Sequence, residues 1–272
     1  HIDSLRVDNA GGLAPRWLQT SPEFAMKRLL AAGSGPIYQI ARVFRRDEAG
    51  RHHNPEFSLL EWYRPGWDHH ALMDEVDALL QALVGAAPCE RLSYAEAFRR
   101  LAGFDPDRLP LAELVARTRE AGLAPEGADA GNTDRDGWLD LWMSARVGPQ
   151  LGRPAPCLLY DYPASQAALA RVRPGDPPRA ERFELFWQGV ELANGFHELR
   201  DPLEQRRRFE ADQARRQALG LTVPPYDRHL IAALEAGLPD CAGVALGLDR
   251  LLMLQQGCTR LDEVLAFPAA RA

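Results

Sequence analysis

Arg45 ends a stretch of alternating apolar and polar residues, Pro36 to Phe44, and Phe57 opens a second apolar and aromatic stretch after the polar loop RRDEAGRHHNP. A guanidinium at one strand end and a ring at the start of the next are groups that hold a nucleotide: the first forks onto phosphate oxygens, the second stacks on a flat base. On residue type alone this is only a lead, because an arginine at a strand end is commonly solvated and a strand phenylalanine is commonly core. Glu184 and Glu191 form a second lead, seven residues apart on what reads as consecutive strands of a hairpin around Gln188-Gly189. Taken alone, such a pair is more simply a pair of surface acids. The adjacent histidines His52-His53 and His69-His70 point to different sides of a strand or loop and do not suit one shared ion. By strand alternation His197 faces away from its neighbours Phe196 and Glu198.

These residues need elements to position them. Ser21, Pro22 and Glu23 read as a helix start and Gly33 as its stop. Pro36 to Phe44 and Phe57 to Pro65 read as two strands joined by a long charged loop. His69 to Val84 repeats apolar residues at helical spacing and predicts an amphipathic helix on the outside of a sheet. From about 88 to 153 the texture changes to short helices with turn signals at Ser93, Asp105-Pro106 and Asp134 to Gly137, an inserted or appended helical subregion. Afterwards CLLYDYP, RFELFWQGVELANGF and CAGVALGLDRLLML return to strand-like texture, interrupted by the charged helical run DPLEQRRRFEADQARRQAL. Strands on both sides of a helical insert predict an α+β domain over residues 1–272, built on one mainly antiparallel sheet flanked by helices. The run Arg206-Arg207-Arg208 reads as a solvated helix face or a dock for an acidic partner.

The bulk properties exclude several classes. With 272 residues and 46% hydrophobic composition the chain can bury a real core. A formal charge of -6 without a Lys/Arg block argues against a broad phosphate-tracking face. Cys89, Cys157, Cys241 and Cys258 form no CxxC pair, so no zinc site or disulfide framework is signalled and a reducing cytoplasm fits. No apolar run approaches the roughly 20 residues that span a bilayer, and the start lacks the order of a signal peptide. It begins with His1 rather than Met, so the natural N-terminus is expected to lie upstream.

Three ordered blocks resemble the class II aminoacyl-tRNA synthetases. Phe44 to Tyr63, with HNPEF followed by LEWY, is similar to motif 2 in its lysyl form, and GVALGLDRLLM from Gly243 to Met253 is similar to motif 3. GVELANGFHEL, Gly189 to Leu199, resembles the strand between them. The resemblance covers the catalytic core from about Ser21 onward and implies that family's fold, with no anticodon-binding domain in this chain. It implies that Arg45 touches the α-phosphate of ATP, that Phe57 stacks under the adenine, and that Arg250 covers the other face and reaches the γ-phosphate. It further implies ATP contacts from Asp47, His53, Asn54, Glu191, Leu192 and Gly247, and Mg2+ held by Glu184 and Glu191. Ser21, Pro22, Glu23, Glu61, Tyr63, Asn194, Phe196, Glu198 and Ala245 fall on the amino-acid pocket, where carboxylates would meet a substrate with two ammonium groups. Catalysis would then be positioning and electrostatics, since the substrate carboxylate itself attacks phosphorus.

Within the family the whole course of the chain most resembles stand-alone lysyl-type ligases that attach (R)-β-lysine to a lysine of elongation factor P. Ala245 stands where lysyl-tRNA synthetases carry Gly, and one methyl can deny room to an α-amino group while tolerating a shifted one. Asp47 departs from the Glu that motif 2 usually carries, which turns attention to Glu48. The implied partners are the amino acid, ATP and elongation factor P, not tRNA and not a membrane, with the chain as a homodimer. The alternatives are a lysyl-tRNA synthetase core and a non-catalytic amino-acid-sensing paralogue.

Overall fold

The computed structural model describes residues 3–8, 15–127 and 133–272. His1, on which the reading of the N-terminus rests, lies outside them. The chain divides into two compact units, one formed by the chain up to Asp68 together with His197–Ala272, the other by His69–Phe196.

The first unit opens with β1 (Arg6–Val7), β2 (Arg16–Trp17), α1 (Glu23–Ala31), β3 (Ile37–Phe44) and β4 (Glu56–Pro65). The second follows with α2 (His69–Val84), β5 (Glu90–Ser93), α3 (Tyr94–Leu101), α4 (Leu111–Glu120), α5 (Arg135–Trp142), β6 (Cys157–Pro163), β7 (Val172–Arg173), β8 (Arg179–Trp187) and β9 (Val190–His197). Then α6 (Pro202–Ala218), α7 (Arg228–Gly237), β10 (Cys241–Gly247) and α8 (Leu248–Gln255) complete the first.

In the first unit β4 is central, paired antiparallel with β3 on one side and β10 on the other. Helices α1 and α7 pack together, and Met26, Leu30, Leu230, Leu234 and Leu238 close over Tyr63 and Cys241. The helix at Ser21 forms with Pro22 at its N-cap, so Ser21 does not cap it directly. Its hydroxyl instead accepts from the Glu23 N–H at 3.1 Å, one of the donors a helix start leaves unpaired. The stretch CAGVALGLDRLLML is not all strand. It changes at Gly247 from a continuous, largely buried apolar strand to helical spacing, burying Leu251, Met253 and Leu254 along α8, while Asp249 in its first turn accepts from the Ser58 N–H at 2.7 Å. The Arg206-Arg207-Arg208 run pairs with acids of its own unit: Arg206 with Glu235 on α7 at 2.9 Å, Arg207 and Arg208 with Glu204 at 2.7 and 2.9 Å.

In the second unit β8 pairs antiparallel with β6 and β9, and β5 joins β6 in parallel. The amphipathic helix over His69 to Val84 is α2, which buries Leu72, Met73, Val76 and Leu80 and packs on β8. Ser93 and Asp134, read from sequence as turn signals, are N-caps: Ser93 forms a reciprocal capping box with Glu96, and Asp134 accepts from the Gly137 N–H. Short polar residues serve turns and caps through the same local bonds to backbone. Helices α3 to α5 bury Tyr94, Phe98, Leu114 and Trp138 in one cluster with Leu159, Tyr162 and Phe186. The β8–β9 hairpin turns at Gln188 and Gly189, with φ of 52° and 80°. Gly189 is required there twice over, since a Cβ would also lie 2.6 Å from the Pro149 carbonyl oxygen. Each unit is thus α+β on a mainly antiparallel sheet. All four cysteines are free, and no helix among the described residues is long and apolar enough to cross a membrane.

Candidate active site

One face of the first unit's sheet carries five of the predicted residues: Phe57, Glu61, Tyr63, Ala245 and Gly247. On β4, alternation puts Phe57, Leu59, Glu61 and Tyr63 on the same side. The register sets Gly243 opposite Tyr63, Ala245 opposite Glu61 and Gly247 opposite Leu59, and directly paired residues share a face. Four residues of strand separate Phe57 from Glu61, about 13 Å. That strip has an acidic end and an aromatic, cationic end.

At the acidic end three carboxylates surround one ammonium that the sequence reading missed. Lys27, 1% exposed, reaches from α1 to place Nζ 2.6 Å from Glu23 Oε1 and 2.6 Å from Glu198 Oε2. Glu23 and Lys27 stand four apart on one helix, the spacing of an intrahelical ion pair, and Lys27 lies among the buried positions Met26 and Leu30. A charged residue on an apolar stripe was the available signal. Glu198 is fixed by its backbone N–H, which donates to the Cys241 carbonyl at 3.0 Å. Glu61, 2% exposed, accepts at Oε1 from the Tyr63 hydroxyl at 2.7 Å, while its Oε2 is buried without a hydrogen-bond partner among the described residues. Ala245, opposite Glu61, borders the small apolar cluster of Ala41, Val43 and Leu59. His197 takes no part: its Nε2 lies 3.2 Å from Asp240.

The electrostatics follow from three acids and one base out of water. Burial first, then repulsion from Glu23, pushes Glu61 up to about 8. Burial likewise pushes Glu198 up to about 8, against the pull of Lys27. Burial works against the Lys27 ammonium, but Glu198 and Glu23 outweigh it and hold it above its ordinary value. The cluster is short of positive charge, so an incoming cation is stabilised there and an anion is not.

At the other end Arg45 leaves β3, donates its backbone N–H to the Pro55 carbonyl at 2.9 Å and sets its guanidinium over the Phe57 ring, 4.9 Å from the centroid. Arg250, in the first turn of α8, donates from Nε to the His52 carbonyl at 3.1 Å, which ties the loop between β3 and β4 to that helix. Asp47 stands in the left-handed region (φ 59°), exposed beside Arg46, whereas Glu48 lies 3.7 Å from Arg45. The shorter acid is therefore turned outward and its neighbour inward. Partial burial and then neighbouring arginine charge hold His52 and His53 below the ordinary imidazole value. Asn54 is bound at both ends of its amide, donating to the Glu56 carbonyl at 2.6 Å and accepting from the Ala269 N–H at 2.9 Å.

In the second unit the pairing of β8 with β9 shifts between Leu185 and Phe186: Glu184 pairs with Asn194, yet Phe186 pairs with Glu191. The extra residue in β9 puts odd-numbered Glu191 on the same face as even-numbered Asn194 and Phe196, and as Glu184. Regular alternation would have split them. Phe196 and Leu192 are both buried. Glu184 is held from two sides, accepting from the Tyr162 hydroxyl at 2.6 Å and pairing with Arg182. Arg182 lies over the Tyr162 ring and donates to Asn194 Oδ1 at 3.2 Å, which leaves the Asn194 amide nitrogen turned elsewhere. Glu184 and Glu191 are hard oxygen donors of the kind Mg2+ takes, and each Glu184 oxygen keeps a lone pair beyond the bonds described.

The profile of the family described as tRNA synthetases class II (D, K and N) matches residues 9–271. An elongation factor P–(R)-β-lysine ligase of Vibrio vulnificus is 56% identical over 92% of this chain and 77% of its own length. Proteins of the same description from Vibrio cholerae and Klebsiella pneumoniae are 55% and 51% identical, each over 94% of this chain and 78% of their own length. The chain belongs to the class II tRNA synthetase family (D, K and N), among relatives described as elongation factor P–(R)-β-lysine ligases.

Proposed function

We propose that this chain activates (R)-β-lysine, or lysine, with ATP as an aminoacyl-adenylate and transfers it to a lysine side chain of elongation factor P. The observation that carries the reading is the acidic end of the strip, with a buried Glu61 oxygen that lacks a donor, about 13 Å along one sheet face from the Arg45–Phe57 pair. A diammonium amino acid supplies the missing donors, and the adenine of the adenylate takes the Phe57 ring.

The chemistry needs no nucleophile from the protein. An oxygen of the amino acid's carboxylate forms a bond to the α-phosphorus as the bond to pyrophosphate breaks. An acceptor lysine ε-amine, with its proton lost to solvent, then attacks the carbonyl carbon and AMP leaves. Arg45 and Arg250 offset negative charge that builds on the phosphate oxygens during the first step. Glu184 and Glu191 would hold Mg2+, which supplies further positive charge to the phosphates. His53, Asn54, Leu192 and Gly247 border the nucleotide in this reading, with Glu48 beside Arg45 in place of the outward-turned Asp47, while Ser21, Pro22, Tyr63, Asn194 and Phe196 shape the amino-acid subsite. The Ala245 methyl, opposite Glu61, narrows the space available to an α-amino group and favours the β-isomer. A homodimer working in the cytoplasm, with a protein acceptor rather than tRNA, completes the proposal. The relatives' described activity and the net charge of -6 support it.

The test gives purified protein ATP, Mg2+ and each lysine isomer, with elongation factor P or tRNA as acceptor, and reads product by mass spectrometry. A lysyl-sized mass increase on elongation factor P, larger with (R)-β-lysine, is expected. Charging of tRNA with α-lysine and an unmodified elongation factor P would refute the acceptor assignment.

A further inference from the structure

Lys27 is at odds with the pocket around it. A cationic side chain in a subsite for cations weakens substrate binding by like-charge repulsion unless it does something in return. Burying an ammonium is costly, and one carboxylate balances its formal charge. Instead its Nζ stands 2.6 Å from each of two carboxylates that come from different parts of the unit, Glu23 on α1 and Glu198 just beyond β9. It thereby fixes their separation. It also leaves Glu61, held only at Oε1 by Tyr63, as the carboxylate with an open buried oxygen.

We infer that Lys27 is a positioning residue that cross-links Glu23 and Glu198, so that the substrate's ammonium groups meet a preset pair of carboxylates and the open oxygen of Glu61. The inference rests on the proposed activation of a diammonium amino acid. The groups facing the cluster are Glu23 and Lys27 on α1, Glu61 and Tyr63 on β4, Glu198, Cys241 on β10, and Arg45, whose charge also reaches Glu61. Lys27 favours the ionised form of both Glu61 and Glu198. Without it those acids hold their protons to higher pH, and a substrate ammonium must displace them.

The experiment compares wild type with Lys27→Met, which keeps length and loses charge, and with Lys27→Arg, which keeps charge and changes reach. The readouts are calorimetric binding of α-lysine and (R)-β-lysine, amino-acid KM and kcat in pyrophosphate exchange, and KM as a function of pH. For Lys27→Met the amino-acid KM rises about 10- to 100-fold, as expected when reacting groups lose their set geometry. The ATP KM stays put, and the acid limb of the pH profile moves to higher pH. For Lys27→Arg the acid limb returns toward wild type while the amino-acid KM stays raised. If Lys27→Met does not fold, Lys27→Arg decides alone: a wild-type amino-acid KM overturns the inference. So does a folded Lys27→Met with wild-type affinity and pH profile, whatever its melting temperature. Wild-type protein that neither binds nor activates any lysine isomer sinks the proposed function and this inference with it, whereas wild-type binding beside an unaffected Lys27→Met sinks the inference alone.

Discussion

Adding one methyl at Gly243 tests the coupling between fold and subsite. A Cβ built there lies 2.2 Å from Tyr63 Cε1 and 2.6 Å from Glu198 Oε1, against about 3.4 Å for ordinary contact, so the ring must retreat by more than 1 Å. It has nowhere to go: Tyr63 is 2% exposed and packed among Met26, Leu30, Leu230 and Leu234. Overpacking of this kind costs about 1–3 kcal/mol. Displacing the ring also stretches the 2.7 Å bond from the Tyr63 hydroxyl to Glu61, and losing a hydrogen bond to a charged or half-charged group adds about 1.5–3 kcal/mol. The Gly243→Ala protein is therefore expected to lose about 2.5–6 kcal/mol in urea denaturation, a large part of the roughly 5–15 kcal/mol a domain has. Its folded fraction should show a raised amino-acid KM with the ATP KM unchanged. A loss below about 0.5 kcal/mol, typical of an uninvolved surface change, would refute the packing argument. A destabilised protein with a wild-type amino-acid KM would refute the link from Tyr63 to the subsite.

Other perturbations separate the remaining parts. Ala245→Gly should relax preference toward α-lysine by about 1–3 kcal/mol in kcat/KM ratio with little change in melting temperature, checked by exchange with both isomers. Glu61 and Glu198 titrate near 8 in the folded protein against an ordinary 4.5, so between those values the native state binds more protons and stability falls as pH rises, by at most about 1.4 kcal/mol per pH unit for each group. Lys27, held above its ordinary 10.5, contributes stability below that pH, so it does not reverse the slope in this window. Melting temperature measured from pH 5 to 8 should decline, and less so in Glu61→Gln. Glu184→Gln should destabilise by about 3–5 kcal/mol, since it breaks a largely buried pair with Arg182, whereas Glu191→Gln should weaken the Mg2+ dependence of exchange. Arg45→Ala and Arg250→Ala should each lower exchange about 10²- to 10³-fold in the fraction of protein that remains folded.

Much of this was legible in the residues because local patterns and their geometry agree. Alternation from Pro36 to Phe44 and from Phe57 to Pro65 yields β3 and β4, helical spacing from His69 yields α2, and Gln188-Gly189 yields the turn. The misread stretch, CAGVALGLDRLLML, fails as one element because its first seven residues are a run of small and aliphatic residues without a clear period, and helical spacing starts only after Gly247. Three site features were hidden for different reasons. The shift in β9 that brings Glu191 and Asn194 to one face is a property of pairing, and strand alternation alone predicts the opposite. Lys27 as an ion-pair bridge depends on Glu198, 171 residues away in the chain. The room denied at Gly243 depends on where the Tyr63 ring packs, which residue type does not disclose.

The central claim is that the acidic end of the strip selects a diammonium amino acid for activation. Pyrophosphate exchange with (R)-β-lysine, α-lysine and glutamate, run on wild type and Glu61→Gln, addresses it directly. Exchange should be greatest with (R)-β-lysine, lower with α-lysine and absent with glutamate, and Glu61→Gln should lose most of it. Exchange driven by glutamate, or wild-type exchange from Glu61→Gln, would contradict the account.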